Sequence, residues 1–193
     1  MINTKADYLN YLKLDKKALD INIDGILWKI KEFFLPNYIW LFQKRLRKVE
    51  YFKNSKKGIF NNLYSYYLKY LLRKSSVKLG FSIPANVFGP GLSIVHYGTI
   101  VVNKNAKVGK NCRIHACTNI GASGGKKTAP IIGDNVYIAP GAKIYGNIII
   151  ANNIAIGANA VVNKSFEEEN ILIAGNPAKK IKTIDIKKII KHV

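Results

Sequence analysis

Residues 132–162, IGDNVYIAPGAKIYGNIIIANNIAIGANAVV, carry a six-residue period. Extended towards the N-terminus, the same position of the repeat holds only β-branched aliphatic residues: Val102, Val108, Ile114, Ile120, Ile132, Ile138, Ile144, Ile150, Ile156 and Val162. A β-sandwich with alternating strands would repeat every two residues instead. We therefore expect a triangular coil in which three six-residue units make one turn, and successive turns stack as parallel strands about 4.8 Å apart.

The repeat also predicts where side chains point. The β-branched residue should face the interior, where it stacks on its equivalents in the coils above and below. Cys112 occupies an inward-facing small position two residues before Ile114, so we expect a core residue rather than a nucleophile. The glycines that follow the repeated position, such as Gly109, Gly133 and Gly157, are expected to let the chain turn at the corners.

The period lapses at two places, and such breaks are where function is often carried in a repeat fold. Ile94 and Val102 are eight residues apart instead of six, and the extra residues fall within 96–99. The second break, between Ile120 and Ile132, holds residues 121–129, GASGGKKTA. This segment is too rich in glycine and lysine for a buried strand, so we expect an extruded loop.

Setting that loop aside assigns the repeated residues to faces of the prism. Val102, Ile120 and Ile144 share one face, and Ile94 shares another with Ile114. His96 and His115 then project near one corner, one coil apart, and their neighbourhood is the predicted active site. His192, near the C-terminus, is expected to be solvated.

Residues 5–79 follow a different pattern, with apolar residues at three- and four-residue spacing among lysines and arginines. This spacing predicts helices. We expect an N-terminal helical region over 1–79, a β-helix over 80–182 and a C-terminal helical tail over 183–193. The segment 44–57 is dense in positive charge and is expected to be a solvated helix face.

The charge balance is strongly basic, with 31 Lys and Arg against 11 Asp and Glu. Such an excess implies an anionic partner, such as a membrane surface, a glycan or a phosphorylated cofactor. Nucleic acid is not expected, because no stacking or helix-turn-helix signature accompanies the charge. With no apparent signal peptide, bilayer-length apolar run or disulfide framework, the chain is expected to be cytoplasmic, with peripheral membrane contact through its basic helices.

Five segments together resemble the serine O-acetyltransferase family: 91–101 (GLSIVHYGTIV), 107–112 (KVGKNC), 132–139 (IGDNVYIA), 156–162 (IGANAVV) and 174–179 (AGNPAK). The resemblance covers roughly 80–182 and is closest to the serine-acetyltransferase-like enzymes of capsule and surface-polysaccharide gene clusters. It implies a left-handed parallel β-helix of hexapeptide repeats. It also implies a homotrimer, with each active site between neighbouring prisms, and transfer of an acetyl group from acetyl-CoA to a hydroxyl.

The resemblance assigns roles to residues of this chain. His96 matches the family's general base. His115 is the second candidate catalytic residue because the face assignment places it beside His96, and its alternative roles are to orient His96, to touch the substrate or to be a corner residue. Acetyl-CoA is expected along a groove near the last coils, at Ala139, Ala158, Asn163, Lys164, Lys179 and Lys182. The loop is expected to reach over the pantetheine arm or the acceptor with Gly121, Ser123, Gly124, Gly125 and Lys126. No metal is expected.

Three positions depart from the family pattern. Val95 and Phe81 stand where the family has acidic residues that help to hold the amino acid, and Ala129 stands near a second family histidine. The expected acceptor is therefore a sugar hydroxyl of a surface polysaccharide, with serine O-acetylation for cysteine synthesis as the alternative.

Two other classes of protein are weighed against an O-acetyltransferase. A γ-type carbonic anhydrase would share the prism, but Lys110 stands where that class has a zinc-binding histidine. A non-catalytic protein that docks on a membrane or a partner through the basic helices is the last alternative.

Overall fold

The computed structural model describes residues 1–21, 25, 30, 32–55 and 58–193, and its first elements are helices. Helix α1 spans Lys5–Ala18, α2 spans Tyr38–Ser55 and α3 spans Ile59–Leu79. A capping box starts α1, because Thr4 accepts a hydrogen bond from the backbone of Asp7 and Asp7 accepts one from the backbone of Thr4. Gly80 ends α3 in the left-handed conformation, with φ of 77°.

The strands that follow are two to five residues long: β1 Phe81–Ser82, β2 Ser93–Ile94, β3 Ile100–Val102, β4 Lys107–Val108, β5 Arg113–Ile114, β6 Thr118–Gly121, β7 Ile131–Ile132, β8 Tyr137–Ile138, β9 Lys143–Tyr145, β10 Ile149–Ile150, β11 Ala155–Ile156, β12 Val161–Val162, β13 Ile171–Ala174 and β14 Lys179–Thr183. They form three sheets with the orders β1-β3-β6-β9-β12, β4-β7-β10 and β2-β5-β8-β11-β13-β14. Only the last pair among these strands, β13 with β14, is antiparallel. The predicted parallel coil is confirmed.

The predicted faces are confirmed residue by residue. Val102 pairs with Ile120, and Ile120 pairs with Ile144, on one sheet, while Ile94 pairs with Ile114 on another. All the repeated β-branched residues from Val102 to Val162 are at most 5% exposed. Cys112 is also buried, and its burial raises the pKa of the thiol to about 12, so it is an inert core residue.

The expected role of the corner glycines is wrong. Gly109, Gly133 and Gly157 do not adopt positive φ. They allow close approach of the next coil instead, since a Cβ on Gly133 would lie 2.9 Å from the backbone carbon of Ala151. The left-handed conformation is adopted by asparagines two residues further on, such as Asn111 with φ of 56°.

Those asparagines form a ladder along one corner of the prism. The side-chain amide of Asn111 donates to the side chain of Asn135 at 2.9 Å, and that of Asn135 donates to Asn153 at 2.9 Å. The same residue type therefore tolerates the left-handed turn and ties each coil to the next.

Helices α2 and α3 cover the first coil of the prism. Ile39, Phe42, Leu46 and Leu79 belong to the same buried cluster as the β-helix interior. Phe42 packs edge-on against Phe81, with ring centroids 5.1 Å apart. The side-chain amide of Gln43 donates to the backbone oxygen of Leu92 at 2.7 Å, so the helices are bound to the coil by polar as well as apolar contacts.

A buried ion cluster joins α1 and α2 to that coil, which corrects the expected solvated face of 44–57. Arg47 is fully buried and donates to Asp15 at 2.8 Å and to Glu50 at 2.9 Å. Its remaining N–H groups donate to the backbone oxygens of Phe88 and Gly89. Burial alone would lower the pKa of Arg47, but Asp15 and Glu50 raise it above its ordinary value. Lys56 and Lys57 lie outside the described residues.

The segment after β14 folds back on the prism. Its helical part is the single 3₁₀ turn Ile186–Lys188, and Ile186 and Ile190 are buried against Ala155. The ammonium of Lys17 donates to the backbone oxygen of His192 at 2.8 Å. The C-terminal tail therefore reaches from the upper coils to the end of α1. Among the described residues, no helix is both long enough and apolar enough to cross a bilayer.

Candidate active site

His96 lies in the segment between β2 and β3, where the repeat is lengthened to eight residues from Ile94 to Val102, and its side chain is exposed. The close packing of this corner depends on Gly98, which has φ of 131°. A Cβ on Gly98 would lie 3.1 Å from the Cβ of Ala116 in the coil above. The N–H of Gly98 donates to the backbone oxygen of Leu79 at the end of α3. The turn that carries His96 is thus fixed from both sides.

His115 follows β5, directly above Val95. The N–H of Val95 donates to the oxygen of Ile114, and the N–H of His115 donates to the oxygen of Ile138, each at 3.1 Å. The rings of His96 and His115 are 6.1 Å apart between centroids. The register of the coil therefore brings together the two histidines that were predicted to meet at one corner.

The two histidines differ in their surroundings. His115 is 9% exposed, and its ring packs edge-on against Tyr137 at 5.1 Å between centroids. Its Nε2 is buried and has no hydrogen-bond partner among the residues that the structure describes. Burial, then Arg113 and His96, lower the pKa of His115 from 6.5 to about 4. His115 is therefore neutral at neutral pH. Its ring can donate or accept a hydrogen bond beside His96 without adding a charge to the site.

A column of small residues continues upward from His115. The ladder places Ala139, Gly157 and Ala174 in successive coils above it, and Ala174 pairs with Lys179 of β14. A Cβ on Gly157 would lie 2.8 Å from the Cβ of Ala174, so the column is closely packed. The column has no large side chain and ends at Lys179.

The predicted cofactor and loop residues divide between two corners of the prism. Ala139, Ala158, Lys179 and the two histidines belong to the corner between the sheets of β2 and β3, which we call the histidine corner. Asn163, Lys164 and the loop 121–129 follow β12 and β6, at the corner between the sheets of β3 and β4, which we call the loop corner. Lys182 pairs with Leu172, on the outer face of the sheet that leads to the histidine corner.

The loop is extruded, as predicted. Residues 124–128 are exposed, and Gly124 and Gly125 adopt positive φ with no atom within 4 Å of an added Cβ. The loop is held at its base, where the side chain of Asn105 donates to the backbone oxygen of Lys127 at 2.6 Å. Ala129 is buried in the core, so the position near the family's second histidine does not face the site.

Sequence reasoning missed Arg113 and misjudged His192. Arg113 lies on β5, two residues before His115, so both side chains point away from the interior of the prism. This alternation was the signal that could have identified it.

His192 was expected to be solvated, but its Nε2 is buried, because the C-terminal tail packs towards Lys17 and Arg113. Among the described residues, no group of three or more His, Cys, Asp or Glu side chains could hold a metal ion.

Comparison with known proteins places these features in context. Residues 129–164 match the family model described as bacterial transferase hexapeptide (six repeats). A serine acetyltransferase of Staphylococcus aureus is 38% identical over 92 residues, which cover 47% of this chain and 43% of the relative. That of Staphylococcus epidermidis is 42% identical over 84 residues, with 42% and 39% covered. The chain thus spans less than half the length of these curated relatives.

Similarity to a solved structure extends over nearly the whole chain. The serine acetyltransferase of Brucella abortus in complex with coenzyme A is 27% identical, with a TM-score of 0.70, and 94% of this chain and 70% of that chain are covered. The capsule and surface-polysaccharide branch stays a prediction. This chain therefore has the left-handed parallel β-helix of the bacterial transferase hexapeptide repeat behind an N-terminal helical region, and the expected resemblance to serine acetyltransferases is confirmed.

Proposed function

We propose that this protein is an acetyl-CoA-dependent O-acetyltransferase of the serine acetyltransferase type, with His96 as its general base. The observation that carries the proposal is the position of an exposed His96, 6.1 Å from His115, at a break in a hexapeptide scaffold similar to serine acetyltransferases. A neutral imidazole can take the proton of the acceptor hydroxyl as its oxygen attacks the thioester carbon. The C–S bond then breaks, and the proton passes to the departing CoA thiolate.

The column of small residues supports acetyl-CoA as the donor. Ala139, Gly157 and Ala174 form a column of small residues from His115 to Lys179, and small side chains suit a narrow pantetheine arm. Lys179 is exposed at its far end and Lys182 is exposed on the adjoining sheet, and an ammonium group at either position can pair with phosphate as a point charge. The thioester would then lie at the histidine end of the column.

The division of the predicted residues between two corners supports a homotrimer. In one chain, the loop 121–129 and Lys164 are at a different corner from His96. If the histidine corner of one prism packs beside the loop corner of the next, three chains close a ring and each site receives both sets. We expect the purified trimer to lose its activity when it dissociates and to regain that activity when the chains reassemble.

The acceptor has two candidates. Similarity to serine acetyltransferases favours L-serine, which was the alternative expectation, over a sugar hydroxyl. A specific observation favours the sugar: Val95 adjoins His96, and Phe81 is buried against Phe42, so neither position supplies a carboxylate for an amino acid. Measuring CoA release with L-serine and with hydroxylated sugars separates the two.

The test of the catalytic proposal is His96→Ala. Because loss of a general base removes about 10²–10⁴-fold of rate, we expect kcat/KM to fall at least 100-fold with the better acceptor. Size-exclusion chromatography and circular dichroism should show an unchanged assembly and fold. Residual activity within about tenfold of the parent, roughly 1.4 kcal/mol of barrier, would show that His96 is not the base.

We also propose that α3 contacts an anionic membrane surface. Its N-terminal end exposes Ile59, Phe60 and Leu63, with Phe60 87% exposed. Tyr66, Tyr67 and Tyr70 are also more than half exposed. The whole sequence between Glu50 and Asp134 contains no acidic residue. An apolar, tyrosine-rich and purely basic helix has the composition of a helix that lies at a lipid headgroup layer.

The membrane proposal is tested by sedimentation with lipid vesicles. We expect binding to phosphatidylglycerol-containing vesicles, little binding to phosphatidylcholine alone, and release at high salt. Burial of a Phe side chain is worth about 1.5–3 kcal/mol, so Phe60→Gln should weaken binding tenfold or more. Leu9→Gln, at an exposed apolar residue of α1, is the matched control. Equal binding by Phe60→Gln and Leu9→Gln would refute the assignment to α3.

A further inference from the structure

A basic recess opens beside the histidine corner, between the end of α1 and the C-terminal tail. It is a cavity of about 530 Å³, and its charged and polar lining comprises Lys17, Asp20, Arg113, Lys191 and His192. A second cavity of about 290 Å³ also has Arg113 and Asp20 in its wall and extends to Val95, the residue before His96. Arg113 therefore lies in the wall of both cavities, and the second cavity reaches the residue next to the predicted base.

The recess carries a net positive charge. Among the described residues that line it, Lys17, Lys191 and Arg113 outnumber the single carboxylate, Asp20. His192 adds no charge, because burial, then Lys17 and Arg113, lower its pKa. The bond from the ammonium of Lys17 to the backbone of His192 fixes this cation in the wall. A cavity of this sign and size suits a small anion-bearing ligand.

Two buried nitrogen atoms flank Arg113 and have no partner in the described part of the chain. They are Nε2 of His115 and Nε2 of His192. Buried polar atoms of native proteins are nearly always hydrogen-bonded, so a water, an ion or a ligand is expected to complete such an atom. His192 lines the recess together with Arg113, so a ligand bound there could supply a hydrogen-bond partner for its Nε2.

We propose that this recess binds the carboxylate or phosphate of an anionic sugar acceptor and presents a neighbouring hydroxyl to His96. The planar guanidinium of Arg113 matches either anion with two parallel hydrogen bonds, and Lys17 and Lys191 add point charges. The inference rests on the proposed O-acetyl transfer and specifies its acceptor. A zwitterionic amino acid fits less well, because its ammonium group would meet three cations and a single carboxylate.

The experiment is calorimetric titration of the full-length chain with saturating CoA present, so that the phosphate contacts of the cofactor are already occupied. The probes are glucose 1-phosphate, glucuronate, L-serine and uncharged glucose. We expect at least one charged sugar to bind well above glucose and L-serine, and the stronger of the two identifies phosphate or carboxylate. Hydrogen bonds to charged groups are worth about 1.5–3 kcal/mol, so Arg113→Gln should weaken that binding about 10- to 100-fold.

Arg73→Gln is the matched control, since Arg73 is an exposed arginine on α3 and the change in charge is the same. It should leave the affinity for the charged sugar unchanged. If Arg113→Gln does not fold, the double variant Lys17→Gln/Lys191→Gln is tested in its place, with a loss of at least tenfold expected. The proposal is overturned if neither charged sugar binds better than glucose, if L-serine binds best, or if the recess variants bind as the parent does. Binding is read without transfer, so the two failures are distinguishable: binding through Arg113 in a protein that acetylates no acceptor, L-serine included, would refute the proposed activity and not the recess.

Discussion

The β-helix and the junction with the helices bury their side chains in opposite ways. The β-helix repeats one solution, with an isoleucine or valine of each coil stacked on its equivalent in the next. The junction has a single, unrepeated solution, in which Arg47 is enclosed with Asp15 and Glu50. The repeated part is therefore robust to small changes, because each of its residues has many equivalents, whereas the junction depends on individual groups.

Breaking the ion cluster is the largest expected effect. Arg47→Met would leave two carboxylates buried without their cation, and removal of one partner from a buried pair costs about 3–5 kcal/mol. We expect the free energy of unfolding, measured in urea, to fall by that amount. A loss below about 1 kcal/mol, typical of exposed pairs, would show that the junction is no more demanding than the surface.

Replacing the entire cluster sharpens the same point. Asp15 also accepts from the N–H groups of Gly91 and Leu92, at 2.8 and 2.9 Å, and Glu50 accepts from that of Asn86 at 2.7 Å. The triple variant Asp15→Leu/Arg47→Met/Glu50→Leu would therefore orphan backbone groups of the first coil. We expect it to remain less stable than the parent, although apolar replacement of an isolated buried ion pair is often neutral.

Close approach between coils gives the next largest effect. Gly133→Ala places a methyl group 2.9 Å from backbone atoms of Ala151 and Asn152, which cannot rotate away. Overpacking of this kind costs about 1–3 kcal/mol, and urea unfolding should show it. An unchanged free energy of unfolding would mean that neighbouring coils can move apart locally to accept the methyl group, and that the β-helix is less rigid than its regular ladder implies.

A single core methyl group should matter less. Ile138→Val removes one methyl group from the interior, and such changes cost about 0.5–1.5 kcal/mol. Ile149→Val is the matched control, because Ile149 points outward from β10 and is 48% exposed. If the two variants lose equal stability, the inward and outward positions of the repeat are not distinguished by packing.

The last expected effect appears only when the pH is lowered, and it distinguishes the histidine corner from the aliphatic core, which has no titratable group. His115 has a lower pKa in the folded chain than in the unfolded chain, so the unfolded state binds more protons between about pH 6.5 and 4. Stability should therefore fall as the pH is lowered through this window. Urea titrations at pH 7, 6 and 5 should show a shallower decline in His115→Gln, and an unchanged decline would exclude His115 as the cause.

The same contrast explains what the sequence could predict. Contacts in the β-helix recur at a regular separation, so a six-residue period was enough to place Ile94 beside Ile114 and to bring His96 near His115. The bond from Arg47 to Asp15 joins residues 32 positions apart, and that from Leu92 to Asp15 joins residues 77 apart, with no repeat to announce them. The basic recess was missed for the same reason, since Lys17, Arg113 and His192 meet only when the C-terminal tail folds back to α1.

The asparagine corner was missed for a different reason. Glycine is favoured where the next coil approaches closely and also where the backbone is left-handed, and asparagine tolerates the left-handed backbone too. The residue types alone therefore did not show which residue makes the turn. The structure distinguishes Gly133, which leaves room for the backbone of the next coil, from Asn135, which makes the turn with φ of 58°.

The cover that the helices form over the first coil has a further consequence. A stack of repeats unfolds most easily from its ends, because the terminal repeat has a neighbour on one side only. His96 follows β2, the edge strand of its sheet, and is therefore carried by such a terminal repeat. Asp15, Gln43 and Arg47 act as an end cap that prevents fraying there. Amide hydrogen exchange at residues 91–99 would thus report on the helices, and loss of the cap would misplace the base while most of the β-helix remains folded.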